Sequence, residues 1–430
     1  MGIFKGKVFR NASWIIASKL MQAIFAFFIG ILTARYLGPA NYGIINYAAS
    51  IATFAFPIAQ LGFSNTLVQE LTRNPQAEGK ILGTSIFLSF FSALFCMGGV
   101  VSFSAVANWG DTETIAIVAI YSITLLFQVL DLVQYWFQAK LLSKYSSVAM
   151  LAAYAIVSGY KLYLLVTQKS IYWFAASQAI DYFLIALFLF LLYRKLGGQP
   201  FSFDWSLAKR LFGTSKYYIV TGLMTAIFSQ TDKIMLKSMA GETATGYYSA
   251  AVAIASIPTF VYAAIIDSYR PVVFAAQNDE KRFELNLRRL YSIVIWLSLL
   301  QSVFMTIFSD LFVGILYGEA YAPTSTILRI VVWFVTFSYL GSIRNIWVLA
   351  KNKQKYLWII NASGALLNVA LNWAMIPFLG AVGASIASVL TQMFANFILG
   401  FILRPIRENN KLLLKSLNPK TIYELFRTDK

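Results

Sequence analysis

Residues 213–239 read GTSKYYIVTGLMTAIFSQTDKIMLKSM, a run long and apolar enough to cross a bilayer. It nevertheless carries Thr214, Tyr218, Thr221, Thr225, Ser229 and Asp232 at successive steps of four, three, four, four and three. On a helix that spacing draws one polar stripe. A stripe facing lipid would leave hydroxyls and a carboxylate without partners, so this face turns toward other helices or water. The pair Asp232 and Lys233, near the far end, sets two opposite charges side by side in an apolar span.

Outward from this helix the chain keeps the same character. Of 430 residues, 59% are hydrophobic and only 12% charged, and the mean hydropathy is +0.66, which together specify a polytopic membrane protein. The formal net charge of +17 punctuates the apolar runs instead of forming a basic domain, so it reads as topology and not as a nucleic-acid footprint. Cys96 is the one cysteine and there is no histidine, which excludes an intramolecular disulfide, thiol-pair redox chemistry, imidazole catalysis and His-ligated metal. The basic start, MGIFKGKVFRNASW, leads into an apolar run too long for a signal-peptide core and is read as a retained first helix.

At about 20 apolar residues per span, twelve segments are expected: 11–36, 42–69, 81–107, 113–138, 145–168, 170–193, 212–238, 244–272, 288–317, 322–350, 355–377 and 380–404. Lys and Arg gather in alternate connections, such as Arg73 with Lys80, Lys140 with Lys144, and Lys351 with Lys353 and Lys355. By the positive-inside rule both termini are expected in the cytoplasm. Two stretches recur: LGPANYGIINYAASIA from Leu37 is echoed by MAGETATGYYSAAVAIA from Met239, with Gly43 on Gly246, and WFQAKLLSKY from Trp136 is echoed by WVLAKNKQKY from Trp347. The chain therefore reads as an all-α integral membrane protein of two parallel six-helix repeats around a central polar cavity, residues 1–200 and 201–407, followed by a cytoplasmic tail, 408–430. The link GGQPFSFDWSLAKR offers Asp204 as an N-cap before a short amphipathic turn.

The second segment repeats the polar stripe through Asn46, Ser50, Thr53, Pro57, Gln60 and Ser64, while Lys19 and Gln22 lie on the first and Asn361, Asn368 and Asn372 on the eleventh. Such faces either bond helix to helix or line a cavity, and for the two full stripes a cavity is expected. Lys19, Lys233, Arg329 and Arg344 would make that cavity net positive and suited to phosphate oxygens. Lys161 and Asp181, on neighbouring helices, read equally as an ion pair or as part of a site. No Gly-rich phosphate loop, acidic metal pair or nucleophile elbow stands in the cytoplasmic connections, so a transporter is expected and not an enzyme.

ARYLGPANYGIINYAAS after the first helix and QTDKIMLKSMAGETATGYYSAA across the seventh and eighth resemble the paired hallmarks of the Wzx-type polysaccharide repeat-unit flippases, within the multidrug/oligosaccharidyl-lipid/polysaccharide exporter superfamily. The resemblance covers essentially the whole chain. It implies translocation of undecaprenyl-diphosphate-linked oligosaccharide across the bacterial inner membrane for O-antigen, capsule or a related glycan, alongside glycan-assembly proteins and membrane lipid. Lys19, Gln22, Asn46, Gln60, Lys233, Arg329 and Arg344 are then candidate cargo contacts. No cofactor is implied beyond a coupling proton or sodium ion, for which the matching positions are Asp232, Asn368 and Asn372, with Ser388 beside them and Asp181 as a further candidate. The other readings are a multidrug antiporter of the same fold, a lipid II-type flippase, and a scaffold in a glycan-assembly complex.

Overall fold

The computed structural model describes residues 2–418, and those residues form helices and turns with no strand among them. Helix α1 (Gly2–Ala59) is followed by α2 (Glu78–Ala107), α3 (Thr112–Ser122), α4 (Ser143–Val166), α5 (Ile171–Lys195), α6 (Trp205–Ala255) and α7 (Thr259–Ala275). Then come α8 (Glu280–Ile307), α9 (Thr324–Val331), α10 (Trp333–Ala350), α11 (Leu357–Met393) and α12 (Arg407–Ser416), with shorter helical pieces between. Among the described residues eight helical stretches are long and apolar enough to cross a membrane, or nine if α6 and α7, bent by 44°, count as one. The protein is a multi-pass, all-α membrane protein.

Three of these stretches are far longer than one crossing requires, and each is broken at a glycine: α1 at Gly38 (φ 74°, ψ 170°), α6 at Gly241 (φ 87°, ψ 176°) and α11 at Gly380 (φ 53°, ψ −130°). These backbone angles are open to glycine and strained for other residues. Pro39 follows the first break, where its fixed φ and missing N–H suit a new helix start. The expectation of twelve spans depends on counting both arms of each broken helix.

By compactness the chain divides into a first unit, residues 1–230, and a second, residues 231–430. In the first, α1 packs along α4 and α4 along α5. The link to α6 is strapped onto α2: Tyr193 donates its hydroxyl to the Gln199 carbonyl at 2.6 Å, Gln199 Oε1 accepts from Gly79 N–H at 3.1 Å, and Asp204 N–H donates to Thr84 Oγ1 at 3.0 Å. Asp204 caps α6 as expected, accepting from Leu207 N–H at 3.0 Å and from the Ser206 hydroxyl at 2.7 Å, and these bonds hold its carboxyl below the usual carboxylate range. The helix it caps is the long α6 itself, so the separate amphipathic turn expected there is not formed.

In the second unit α8 packs on α10, α10 on α11, and α12 docks on α8. Residues 408–416 of the expected tail are thus packed helix and not a solvated extension. Tyr291 donates to Asn409 Oδ1 at 3.0 Å, Ser292 donates to the Ser416 carbonyl at 2.8 Å, and Leu412 and Leu413 are buried. Residues 419–430 of that tail lie outside the described residues. Before α12 the chain makes a π-helix, Phe394–Ile398, whose displaced carbonyls need other donors. Arg344 Nη1 serves Ala395 at 2.8 Å and Asn410 Nδ2 serves Phe397 at 2.6 Å.

The internal echoes recur in the backbone and in the ion pairs. Leu141 (φ 56°) and Asn352 (φ 53°) hold the same left-handed conformation at matching positions of the two Trp-containing stretches. Lys140 pairs with Glu78 at 2.7 Å in the first unit, and Lys351 with Glu280 at 2.6 Å in the second.

Candidate functional site

In the second unit, Asp232 is 7% exposed and accepts four hydrogen bonds. Asn368 and Asn372 donate their Nδ2 groups to Oδ1 at 2.9 and 2.6 Å, while Tyr248 and Ser388 donate hydroxyls to Oδ2 at 2.7 and 2.5 Å. The Tyr248 and Ser388 hydroxyl oxygens stand 2.8 Å apart, so either can give its proton to the other in place of Oδ2.

The glycine breaks create this convergence. On a straight helix Asp232 and Tyr248 would stand about 24 Å apart, at about 1.5 Å per residue. The break at Gly241, nine residues after one and seven before the other, folds α6 back so that they meet. Gly380 lies eight residues from both Asn372 and Ser388 and does the same for α11. Asn368, one turn before Asn372, then reaches the same carboxylate from the same face.

Asp232, Asn368, Asn372 and Ser388, matched by resemblance, are thus brought into direct contact. Tyr248 was missed. Its signal was present in the second echo, GYYSAA, but a tyrosine there reads equally well as packing. Lys233 follows the cluster and is half-buried.

For a sodium ion the relevant donors are the Asp232 carboxylate and the side-chain oxygens around it. Asn372 Oδ1 is buried with no hydrogen-bond partner, so an unused oxygen stands beside the one negative charge. A hard monovalent cation suits that donor set.

The first unit holds a different arrangement. A cavity of about 610 Å³ is lined by Lys19 and Gln22 from α1, Ser146 and Tyr154 from α4, and Gln178 and Asp181 from α5. Asp131, Gln134 and Gln138 line it from the chain between α3 and α4. Asp131 accepts from Gln134 Nε2 at 2.8 Å through one oxygen, but its other oxygen, Oδ1, is buried and unpartnered, as is Oδ1 of the 5%-exposed Asp181.

Around Lys19 this cavity sets two carboxylates against one lysine, and Lys233, Arg329 and Arg344 do not line it. Asp181 and Tyr154 also border a smaller space of about 190 Å³ with Asn46 and Lys161. Lys161 and Asp181 face the same space, with no ion pair within 4 Å between them. Asn46 donates to the Tyr42 carbonyl one turn back, at 2.9 Å.

The remaining cations are engaged elsewhere. Arg329 pairs with Asp310 and donates Nε to Ser309 Oγ at 2.8 Å, and Arg344 is buried against the π-helix. Neither is the free cavity cation expected. Gln60 is buried where the second arm of α1 ends, and its carbonyl accepts from Ser89 at 3.4 Å.

The two stripes meet in a groove of about 330 Å³ lined by Thr53 and Pro57 with Tyr218, Thr221, Thr225 and Ser229. Gly222 admits the close approach, since a Cβ there would lie 2.7 Å from Pro57 Cβ. Thr53, Thr221 and Thr225 each donate to the carbonyl four residues back. Their hydroxyls are satisfied within their own helices and do not bond helix to helix.

The family described as Polysaccharide biosynthesis protein matches residues 8–277. The chain belongs to that family. A Klebsiella pneumoniae protein described as an uncharacterized membrane protein in a cps region is 20% identical over 424 residues, covering 94% of this chain and 84% of its own. The solved structure of the lipid II flippase MurJ in an inward closed conformation is similar with a TM-score of 0.71 and 16% identity, covering 96% of this chain and 92% of that one. An inward-facing multidrug resistance MATE transporter of the MOP superfamily gives 0.68 and 15%, covering 92% and 96%. This member of the polysaccharide biosynthesis family therefore has the fold that the two solved proteins share.

Proposed function

We propose that this protein moves undecaprenyl-diphosphate-linked oligosaccharide repeat units from the cytoplasmic to the periplasmic leaflet of the bacterial inner membrane. It does so by alternating access through twelve spans, with both termini in the cytoplasm. Membership of the polysaccharide biosynthesis family carries this reading, and the likeness to a lipid II flippase supports a lipid-linked saccharide as cargo. Asp232 is the coupling carboxylate. Adding a proton turns one acceptor oxygen into a donor, and the Tyr248–Ser388 pair, in which either hydroxyl can donate, can reverse to receive it. Asp232 with the Asn372 and Asn368 oxygens would hold sodium instead, supplying the charge and hard oxygens that ion requires.

The test is the undecaprenyl-linked oligosaccharide pool in a deletion strain, with its leaflet read by a membrane-impermeant glycosidase. Completed units accumulating on the cytoplasmic side support the proposal. Units reaching the periplasm at the normal rate refute it.

A further inference from the structure

The 610 Å³ cavity of the first unit is not explained by the Asp232 cluster, which lies wholly in the second. Its volume is that of a small-molecule site, in the range of about 300–1,000 Å³. Its walls are unlike a drug pocket, because planar amides and carboxylates outnumber aliphatic groups. Gln22, Gln138 and Gln178 present amides that bond no other described side chain, and Asp131 and Asp181 each present a buried oxygen without a partner among the described residues. An amide offers two donors and an acceptor, and a carboxylate offers paired acceptors. Vicinal hydroxyls of a sugar ring match such forked groups, each hydroxyl both giving and receiving. Tyr135, Tyr154 and Tyr182 add flat apolar faces with a polar tip, which suit the C–H face of a pyranose.

Charge then narrows the class. Lys19 lines this cavity against Asp131 and Asp181, and Lys161 faces Asp181 only from the adjoining 190 Å³ space. Desolvating the carboxylate of an acidic sugar beside two more would carry a like-charge penalty, whereas a protonated amino group can reach the unpartnered Asp181 oxygen. We infer that the first-unit cavity is a saccharide site that prefers an amino sugar over a neutral one and excludes uronic acids. The inference rests on the flippase reading only in making a glycan the cargo.

The experiment uses the full-length protein in nanodiscs and saturation-transfer NMR with glucosamine, glucose and glucuronic acid as probes. Glucosamine should show the strongest transfer and glucuronic acid the weakest, with a spread of at least fivefold. Asp181→Asn and, independently, Asp131→Asn should reduce the glucosamine signal at least threefold, and by more than they reduce the glucose signal. Glucuronic acid equal to glucosamine would overturn the inference. So would unchanged glucosamine transfer in both variants, or no transfer from any sugar in a preparation that still translocates lipid-linked glycan. Sugar transfer without translocation would leave this site standing and count against the flippase reading. Loss of both would remove both.

Discussion

The two units fold a helix back at equivalent glycines but enclose different chemistry at the fold. A shift of 203 residues carries Gly38 to Gly241, Ile29 to Asp232 and Ile45 to Tyr248. A shift of 211, which carries Trp136 to Trp347, carries Val157 to Asn368 and Lys161 to Asn372. In the second unit these positions assemble a carboxylate whose oxygens are filled by four donors. In the first, Ile29, Ile45, Val157 and Lys161 instead border the 190 Å³ space beside Asp181, which has an oxygen to spare. Duplication preserved the backbone device and left the side chains free to diverge. A satisfied buried carboxylate rigidifies its surroundings, whereas an unsatisfied one awaits a guest.

The largest contrast should come from deleting each acid. Asp232→Ala strands four buried donors at about 1–3 kcal/mol each, so thermal unfolding of the purified protein should fall sharply and transport should be lost. Asp181→Ala removes no bonded acceptor and should leave stability within about 1 kcal/mol of the parent. The gentler Asp232→Asn should fold and lose its response to proton and sodium gradients in vesicles; an unchanged response would remove the coupling role.

Next come the glycine breaks. Gly38→Ala and Gly241→Ala meet no atom within 4 Å, so each should cost only backbone strain, about 1–3 kcal/mol. Their unfolding temperatures should therefore fall alike, but transport should fall further for Gly241→Ala, because its break positions Asp232 against Tyr248. Equal transport loss would mean the fold-back matters mechanically and not through the cluster.

The smallest effect should separate the matched ion pairs. The Glu78 side chain is 4% exposed and that of Glu280 is 61%. Glu78→Gln should cost about 1–2 kcal/mol and Glu280→Gln under about 1. Equal melting shifts would show that the pairs are equivalent in energy as well as in position.

Much of this was legible in the chain. Apolar length and basic connections mark the spans, because lipid and translocation topology act on composition directly. The duplication shows in Gly43 with Gly246 and in Trp136 with Trp347, and the structure renders it as matched angles and ion pairs. The cation inventory misled because pairing is a matter of space. Asp310, the partner of Arg329, lies on a different helix, and Arg344 answers to a π-helix that no hydropathy pattern reveals. The docked α12 was hidden for a similar reason: Asn409 and Asn410 look like solvent-facing residues until Tyr291 and the Phe397 carbonyl are placed against them.

The glycine breaks also bear on how the protein meets its surroundings. A conventional loop gives proteases, antibodies and phage a flexible handle several residues long. At Gly38, Gly241 and Gly380 the chain turns at one non-helical residue between two helical arms, so at three of its turns there is no loop several residues long to grip.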